Sequence, residues 1–496
     1  MIMRTLSLTI LVIVMTTCIS TRLSAQKQID WTLVHTKTME SINALYNLDF
    51  QIAEKRCSET ISIAPNDPRG HFFKAMVYYY RYTLVSNTES DYKKFVMLSQ
   101  KTSEVCDRLL NQNENNAQAY FYKGGILGYR GLTKFNRKDI TGAFWDGKEA
   151  LSALEDALKL DPKNADIQMG FGLFNYLITQ APSSIQPMLR AIGLKGDKIA
   201  GLKQLENAAQ NGIYCKYEAK RWLSIFYNWE EMYNRSALQY KSLIADFPAN
   251  SWIRVAYIST LVNGIRNPAE ALQQTKDLEK NNHSTQQKPL SQAYLLSGIA
   301  SFNLCDFEQA KLWCNKTITL DVDSQHVENA HWLLGRCYEI TGNRNEAWNN
   351  YVKSQRNKSE YLQPLTSSEI TLIKIENHIK SKKFQSIVDL EDLINDTKWN
   401  NDDNVLANYY LGRAYFETNQ YEKAEKVLSQ ISQMKTQNKH WIKPYTLYRL
   451  GQVYIARKKR DDAKAIFDKL LDDDKVSSDE NLKKLISKEL YNMSKK

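Results

Sequence analysis

The stretch LANYYLGRAYFETNQYEKAEKVL, residues 406–428, combines small and large residues at a spacing that recurs elsewhere in the chain. Almost the same skeleton occurs at residues 330–351 and again at 447–467. In each copy a Leu-Gly pair is followed by a tyrosine three residues after the glycine, then by an alanine nine residues later and a bulky residue four further on. The spacing predicts two antiparallel helices that touch where glycine and alanine meet.

Each kind of residue in this skeleton has its own task in the predicted helix pair. Glycine and alanine let the two backbones approach, and the larger side chains fill the space beside the contact, because interdigitation requires both sizes. The aligned sets are Gly335, Gly412 and Gly451; Tyr338, Tyr415 and Tyr454; Ala347, Ala424 and Ala463; and Tyr351, Leu428 and Phe467.

This pattern resembles the tetratricopeptide repeat, a helix-turn-helix unit of about 34 residues. The resemblance implies an all-α protein, a right-handed α-solenoid of helical hairpins covering most of residues 30–472. Successive eighth positions are 34 to 52 residues apart, and the longest steps lie in the N-terminal half, which predicts irregular, longer repeats there. The eighth positions are Ser41, Ala75, Gly124, Gly172, Ser224, Ile258, Gly298, Gly335, Ile375, Gly412 and Gly451.

Residues 179–215 interrupt the repeat pattern with a proline-containing loop, after which Gly196-Asp197 opens an amphipathic helix. We predict an insertion and a linking helix here, and its GDxxxGLxxLxxA pattern is similar to a segment of exported bacterial repeat proteins of unassigned function. Near the C-terminus, residues 477–480 read as a capping box that begins a final helix, which would cover the exposed core of the last repeat.

These patterns divide the chain into six segments. They are a signal peptide at 1–25, N-terminal repeats with long helices at 26–178, the insertion and linking helix at 179–215, central repeats at 216–285, C-terminal repeats at 286–472 and a capping helix at 473–496.

The first 25 residues have the pattern of a secretory signal peptide. Arg4 precedes an apolar core at residues 6–15, and Leu23-Ser24-Ala25 ends in a small residue. We expect cleavage after Ala25 and export to the periplasm or to an outer-membrane-associated site. An uncleaved membrane anchor is one alternative. Lipidation at Cys18 is another, although the leucine and the small residue that usually precede a lipidated cysteine are missing.

The whole chain has a formal charge of +11, which becomes +9 after cleavage, because residues 1–25 contain Arg4 and Arg22 but no Asp or Glu. In an exported protein this excess favours anionic partners such as lipid head groups or acidic polypeptides over nucleic acid. Such a charge would favour a peripheral association with the membrane or other envelope components. The alternative is a solvated surface without an electrostatic role.

Six cysteines remain after cleavage, and none shows metal-ligand or CxxC spacing. We expect free thiols on apolar helix faces, with a Cys305–Cys337 or Cys314–Cys337 disulfide as the alternative in an oxidising compartment. The six are Cys57, Cys106, Cys215, Cys305, Cys314 and Cys337.

The sequence carries no local signature of catalysis. His326 and His331 are five residues apart rather than the four of a helical zinc site, and no HExxH, GxSxG or phosphate-loop motif occurs. Gly170-Phe171-Gly172 lacks the third glycine of a dinucleotide site. We therefore expect no enzyme activity, no cofactor and no metal.

In a stack of such hairpins the first helix of each unit lines the concave side, which the resemblance makes the expected groove for a protein or peptide. Aromatic and arginine side chains are favoured at protein interfaces. Packing between neighbouring hairpins is the alternative role for each of them. The candidates are Arg69, Phe72, Tyr79, Phe121, Tyr129, Tyr176, Arg221, Trp229, Trp252, Phe302, Trp332, Arg336, Tyr409, Arg413, Phe416, Tyr445 and Tyr448.

The sequence thus favours a non-enzymatic repeat scaffold that binds a protein or peptide partner in the cell envelope. The alternative is a glycan-binding protein similar to the starch-binding outer-membrane lipoproteins, which are also built on these repeats. The sequence leaves open the identity of the partner and the oligomeric state.

Overall fold

A computed structural model describes residues 29–184, 186–191, 194–281, 286–473 and 479–494, so the predicted signal peptide lies outside the described residues. Within these ranges the chain is helical and contains no strand. The helices form successive antiparallel hairpins, which confirms an all-α solenoid. No helix in the described ranges is both long enough and apolar enough to cross a bilayer.

Contacts divide the chain into two compact units. The first contains residues up to Phe226 together with Ser242–Asn250, and the second contains Tyr227–Lys241 and the residues from Ser251 onward. The division falls within helices, whereas the sequence placed segment ends at 215 and 285.

The first unit is built from helices α1 to α9, with parts of α10 and α11. Their bounds are α1 Trp31–Tyr46, α2 Phe50–Ile63, α3 Pro68–Tyr80, α4 Glu89–Gln112, α5 Ala117–Asn136, α6 Ile140–Leu160, α7 Ala165–Thr179, α8 Gln186–Ala191, α9 Lys198–Asn211, α10 Lys216–Trp229 and α11 Tyr233–Asp246. A π-helical stretch, Arg81–Ser86, follows α3. The hairpins pair α1 with α2, α3 with α4, α5 with α6 and α7 with α9.

The second unit continues the hairpin pattern to the C-terminal end of the described chain. Its further helices are α12 Ser251–Ser259, α13 Pro268–Asn281, α14 Gln287–Asn303, α15 Phe307–Leu320, α16 Ser324–Ile340, α17 Arg344–Lys353, α18 Ser367–Lys380, α19 Phe384–Val388, α20 Glu391–Asp396, α21 Asn401–Glu417, α22 Tyr421–Ser432, α23 Ile442–Ala456, α24 Arg460–Leu471 and α25 Glu480–Ser494. A π-helical stretch, Thr260–Ile265, follows α12, and a 3-10 turn, Lys358–Tyr361, follows α17.

The close contacts predicted for the repeated glycines are present in the second unit. A Cβ built on Gly412 would lie 2.6 Å from Leu428 Cδ2, and one built on Gly335 would lie 2.6 Å from the ring of Tyr351. At Gly451 the side chain that such a Cβ would strike is Phe467. The three glycines therefore occupy equivalent surroundings, and the predicted bulky residues fill the space opposite them.

Helix α9 differs from the linking helix that we predicted. It forms the second helix of a hairpin with α7, where the backbone of Gly201 approaches Gly172. Asp197 caps it as expected, accepting a hydrogen bond from the Ala200 amide at 2.9 Å. The repeat unit was obscured in the sequence because the connection between its two helices is unusually long.

The C-terminal helix α25 covers the core of the last repeat. Leu482 and Ile486 are fully buried against Phe467 and Leu470. Asp479 caps the helix by accepting from the Leu482 amide at 3.0 Å. The serines of the predicted capping box lie outside the described residues.

The described cysteines are free, and all but the partly buried Cys305 lie in the core. Burial raises the pKa of Cys57 to about 12, so this thiol is protonated at neutral pH.

Candidate functional site

The centre of the first unit is filled by a buried carboxylate and its donors. Glu218 on α10 accepts hydrogen bonds from the hydroxyl groups of Tyr46, Tyr80 and Tyr129, the last at 2.6 Å. The Trp222 indole nitrogen donates to it at 2.8 Å, and the Arg221 guanidinium donates at 2.6 Å. The three tyrosines come from α1, α3 and α5, so four helices converge on one side chain.

The Glu218 carboxylate is ionised despite its burial. Desolvation raises its pKa, but the Arg221 charge and the donated hydrogen bonds outweigh that effect and lower the pKa to about 2. Desolvation and the neighbouring carboxylate both raise the pKa of Tyr46, so that hydroxyl stays protonated and donates. Such a fully satisfied network holds the helices in one arrangement.

The groove residues predicted in the first unit pack against other side chains instead of facing solvent. Tyr176 is fully buried and stacks on Phe226 with ring centroids 3.7 Å apart. Tyr79 meets Tyr129 edge to face at 4.9 Å. The buried members of the prediction in this unit are Arg69, Phe72, Tyr79, Phe121, Tyr129 and Tyr176.

Arg69 shows what these buried positions do. It forms an ion pair with Asp67 at 2.8 Å and donates to the Tyr214 hydroxyl at 3.0 Å. Its guanidinium also lies 5.4 Å from the Trp31 ring. Arg69 therefore joins α1 and α3 to the start of α10 and is not presented to a partner.

Several groove candidates in the second unit also contact other residues of the chain. The Trp332 indole donates to the Tyr361 hydroxyl at 2.9 Å and is covered by Arg356, whose guanidinium is 4.3 Å from the ring. The Phe302 ring meets Phe307 edge to face, with ring centroids 5.4 Å apart. The Arg336 charge acts on Tyr351, which lies on the other helix of the same hairpin.

The remaining groove candidates differ in how far they are exposed to solvent. Trp252 and Phe416 are half-buried, whereas Trp229 is 52% exposed. Tyr448 is buried, and its hydroxyl lies 3.4 Å from Glu489 on α25.

A cluster of arginines lies on the first helices of the last two repeats. Arg413 on α21 and Arg449 on α23 both approach the Glu417 carboxylate, at 3.9 and 3.7 Å, which is beyond hydrogen-bonding distance. Arg266, which follows the Thr260–Ile265 stretch, adds a third positive charge close enough to act on Arg413. We call Arg266, Arg413, Arg449 and Glu417 the arginine face.

The arginine face carries more positive charge than its own carboxylate balances. Desolvation lowers the pKa of Arg413, and the charges of Arg449 and Arg266 lower it further. The Nε groups of Arg413 and Arg449 are buried and make no hydrogen bond to another described residue. Buried polar groups are normally paired, so both guanidinium groups retain unused donors.

Aromatic side chains line the helices beside this cluster. Arg413 lies 5.5 Å from the Phe384 ring. The exposed Trp441 contacts Tyr409 and Tyr445, with ring centroids 5.8 and 5.9 Å away. Guanidinium and aromatic groups thus lie close together along α21 and α23.

The sequence had identified Arg413 and Tyr409 but missed Arg449 and Arg266. A signal for Arg449 was present, because it follows Tyr445 by four residues, as Arg413 follows Tyr409, which places each pair on one helix face. No comparable signal marked Arg266, whose place depends on the packing of separate repeats.

Two family models match the chain. The model of the Iml2/Tetratricopeptide repeat protein 39 family matches residues 148–234, and the Tetratricopeptide repeat model matches 406–433 and 445–474. The matched segments carry tetratricopeptide repeats, as the spacing of the sequence predicted. The two C-terminal matches fall on the α21–α22 and α23–α24 hairpins, whose first helices carry Arg413 and Arg449.

Several solved structures are similar to the chain at low sequence identity. The Cut9–Hcn1 hetero-tetramer of APC/C has 16% identity, with 92% of this chain and 89% of that chain covered and a TM-score of 0.27. Yeast Tom70 has 13% identity, coverage of 88% and 91% and a TM-score of 0.27. The human IFIT1 dimer with PPP-AAAA has 15% identity, coverage of 90% and 95% and a TM-score of 0.27. No curated protein matches the chain.

Proposed function

We propose that this tetratricopeptide-repeat protein is a non-enzymatic scaffold whose C-terminal repeats bind an acidic segment of another polypeptide. The observation that carries the proposal is the pair Arg413 and Arg449, whose guanidinium groups approach their neighbouring carboxylate, Glu417, only at 3.9 and 3.7 Å. Carboxylates are suitable ligands, because guanidinium groups bind them through charge-assisted, often bidentate, hydrogen bonds.

The electrostatic balance supports an anionic ligand. The carboxylate of Glu417 lies beside two guanidinium groups and contacts neither Arg413 nor Arg449 at hydrogen-bonding distance. Arg266 adds a third positive charge that acts on Arg413. A bound Asp or Glu side chain would offset the desolvation and the repulsion from Arg449 and Arg266 that lower the pKa of Arg413. The exposed Trp441 offers apolar contact area to the same ligand.

The place of action that we propose is the cell envelope. The support is the signal-peptide pattern of residues 1–25, which lie outside the described part of the chain. Intact mass of the exported protein tests this: a chain that begins after Ala25 supports export with cleavage, and an unprocessed cytoplasmic chain contradicts it.

The binding proposal is tested by titrating the mature chain with a fluorescent oligoglutamate peptide and with its oligoglutamine counterpart. The double variant R413Q/R449Q should bind oligoglutamate at least tenfold more weakly, because a hydrogen bond to a charged group contributes about 1.5–3 kcal/mol. The control K458Q/R460Q removes the same charge from exposed positions in the same unit. Equal losses in both double variants would contradict the proposal, since they would show attraction by net charge alone.

The glycan-binding alternative makes a different prediction. Calorimetric titration with envelope polysaccharides should show no binding that depends on Arg413 and Arg449. Binding of a defined oligosaccharide, together with equal affinity for the two peptides, would favour the alternative.

A further inference from the structure

One tip of the first unit exposes three large apolar side chains. Phe135 ends α5, and Ile140 and Trp145 lie in the first two turns of α6. They are 46%, 48% and 60% exposed. Single exposed apolar residues are common on protein surfaces, but a group of them at one hairpin turn indicates an interaction surface.

Two acidic residues at this tip, Asp139 and Asp146, already have hydrogen-bonding or ion-pair partners within the chain. Asp139 caps α6 by accepting from the Gly142 amide at 2.9 Å. The buried Asp146 pairs with Arg130 at 2.6 Å and with Lys134 at 2.8 Å. These two carboxylates are therefore bound by donors of the same hairpin.

Two lysines at the same tip remain available. Lys138 and Lys148 are exposed, and neither pairs with a carboxylate in the described part of the chain. Lys148 Nζ lies 5.6 Å from the centre of the Trp145 ring. The tip thus presents apolar groups and cations side by side.

The neighbouring hairpin turn adds to this surface. Arg137 donates to Glu89 at 2.9 Å and to the Tyr82 hydroxyl at 3.2 Å, and its guanidinium stacks 3.9 Å from the Tyr92 ring. These contacts hold the Arg81–Ser86 stretch beside the tip, and Val85 in that stretch is 48% exposed. We call Val85, Phe135, Ile140 and Trp145, with Lys138 and Lys148, the apolar-basic edge.

The same combination recurs at the next repeat. Ile199, in the first turn of α9, is 80% exposed, and Lys195 just before that helix is exposed. Because the first helices of successive hairpins run in the same direction, the turns that follow α5 and α7 lie on the same edge of the unit. The pattern is therefore shared by successive turns.

We propose that the apolar-basic edge docks the protein on the surface of an anionic lipid bilayer. Trp and Phe favour the boundary between head groups and acyl chains, while lysines beside them attract anionic head groups. The exposed Lys138 and Lys148 supply the positive charge that an anionic surface requires. This site is independent of the arginine face, since its residues lie in the first unit.

The test is co-sedimentation of the mature chain with vesicles of phosphatidylcholine alone or mixed with phosphatidylglycerol. The wild type should bind the mixed vesicles, and added salt should weaken the binding. The variant F135S/I140S/W145S should lower the partition coefficient at least tenfold, and K138Q/K148Q should lower it several-fold. The matched control I52S/L238S/L312S replaces three other exposed apolar side chains and should bind within about twofold of the wild type.

Three outcomes would overturn the proposal. They are absence of wild-type binding, equal binding of the edge variant and the wild type, and equal binding to neutral and anionic vesicles. Brominated lipids give a second readout, because they should quench Trp145 fluorescence and W145F should lose that quenching. Self-association that is lost in the edge variant, without vesicle binding, would assign the edge to a second copy of the chain and contradict a lipid partner. Circular dichroism and Tm confirm that each variant is folded.

Discussion

Replacing Glu218 by glutamine should destabilise the first unit while keeping the side-chain shape. Glutamine carries no charge to balance Arg221, and its NH2 group brings a further donor among the three tyrosine hydroxyls and the Trp222 indole. The pKa of Glu218 is lowered from 4.5 to about 2 in the folded chain, which corresponds to about 3 kcal/mol. Breaking a buried ion pair by removing one partner costs a similar amount, about 3–5 kcal/mol.

The pH dependence gives this prediction a sign. Because the folded pKa is depressed, the Glu218 contribution is complete above pH 4.5 and is lost as the pH falls towards 2. The difference in unfolding free energy between wild type and E218Q should therefore be about 3 kcal/mol at neutral pH and less than half of that near pH 3.

Urea unfolding, monitored by hydrogen exchange of α1, α3, α5 and α10, measures this difference in unfolding free energy in the first unit alone. The control is E155Q, at an exposed position on α6, which should change the free energy by less than about 0.5 kcal/mol. An E218Q effect as small as that of E155Q, or one that stays constant down to pH 3, would refute the role given to the buried carboxylate.

Three further predictions concern packing and charge. G412A should lower the free energy of unfolding in urea by about 1–3 kcal/mol, because its Cβ would lie 2.6 Å from Leu428. The control G147A, whose Cβ would meet no other atom within 4 Å, should raise it by up to about 1 kcal/mol. Equal effects of the two variants would contradict a close helix contact at Gly412. I486S should raise hydrogen exchange in α24 and α25 while leaving the first unit unchanged, since Ile486 is fully buried under the last repeat; an unchanged α24 would argue against the capping role. R413Q should leave the stability of the second unit unchanged or raise it by up to about 1 kcal/mol, because the charge is desolvated beside two other arginines; a loss above about 1 kcal/mol would show that Arg413 is structural.

Local spacing was sufficient to predict the helical hairpins. Gly335, Gly412 and Gly451 each lie opposite a bulky residue at the same sequence spacing, because two helices approach closely where a side chain is absent. The same logic did not extend to the hairpin of α7 and α9, where a long connection hides the repeat period. Periodicity identifies a unit only when its turn is short.

The interior of the first unit could not be predicted from spacing. Tyr46, Tyr80 and Tyr129 lie 172, 138 and 89 residues from Glu218 in sequence, and their convergence depends on how four helices pack. The aromatic and arginine side chains expected to line a groove are used there to fill that space. Residue type alone does not distinguish a packing tyrosine from a binding one.

The most direct test of the binding account is hydrogen exchange of the mature chain with and without oligoglutamate. We expect added protection at residues 409–416 of α21 and 445–452 of α23, and none in α3, α5 or α7 of the first unit. Protection centred on the first unit, or no change in α21 and α23 at saturating peptide, would contradict the arginine face as the binding site.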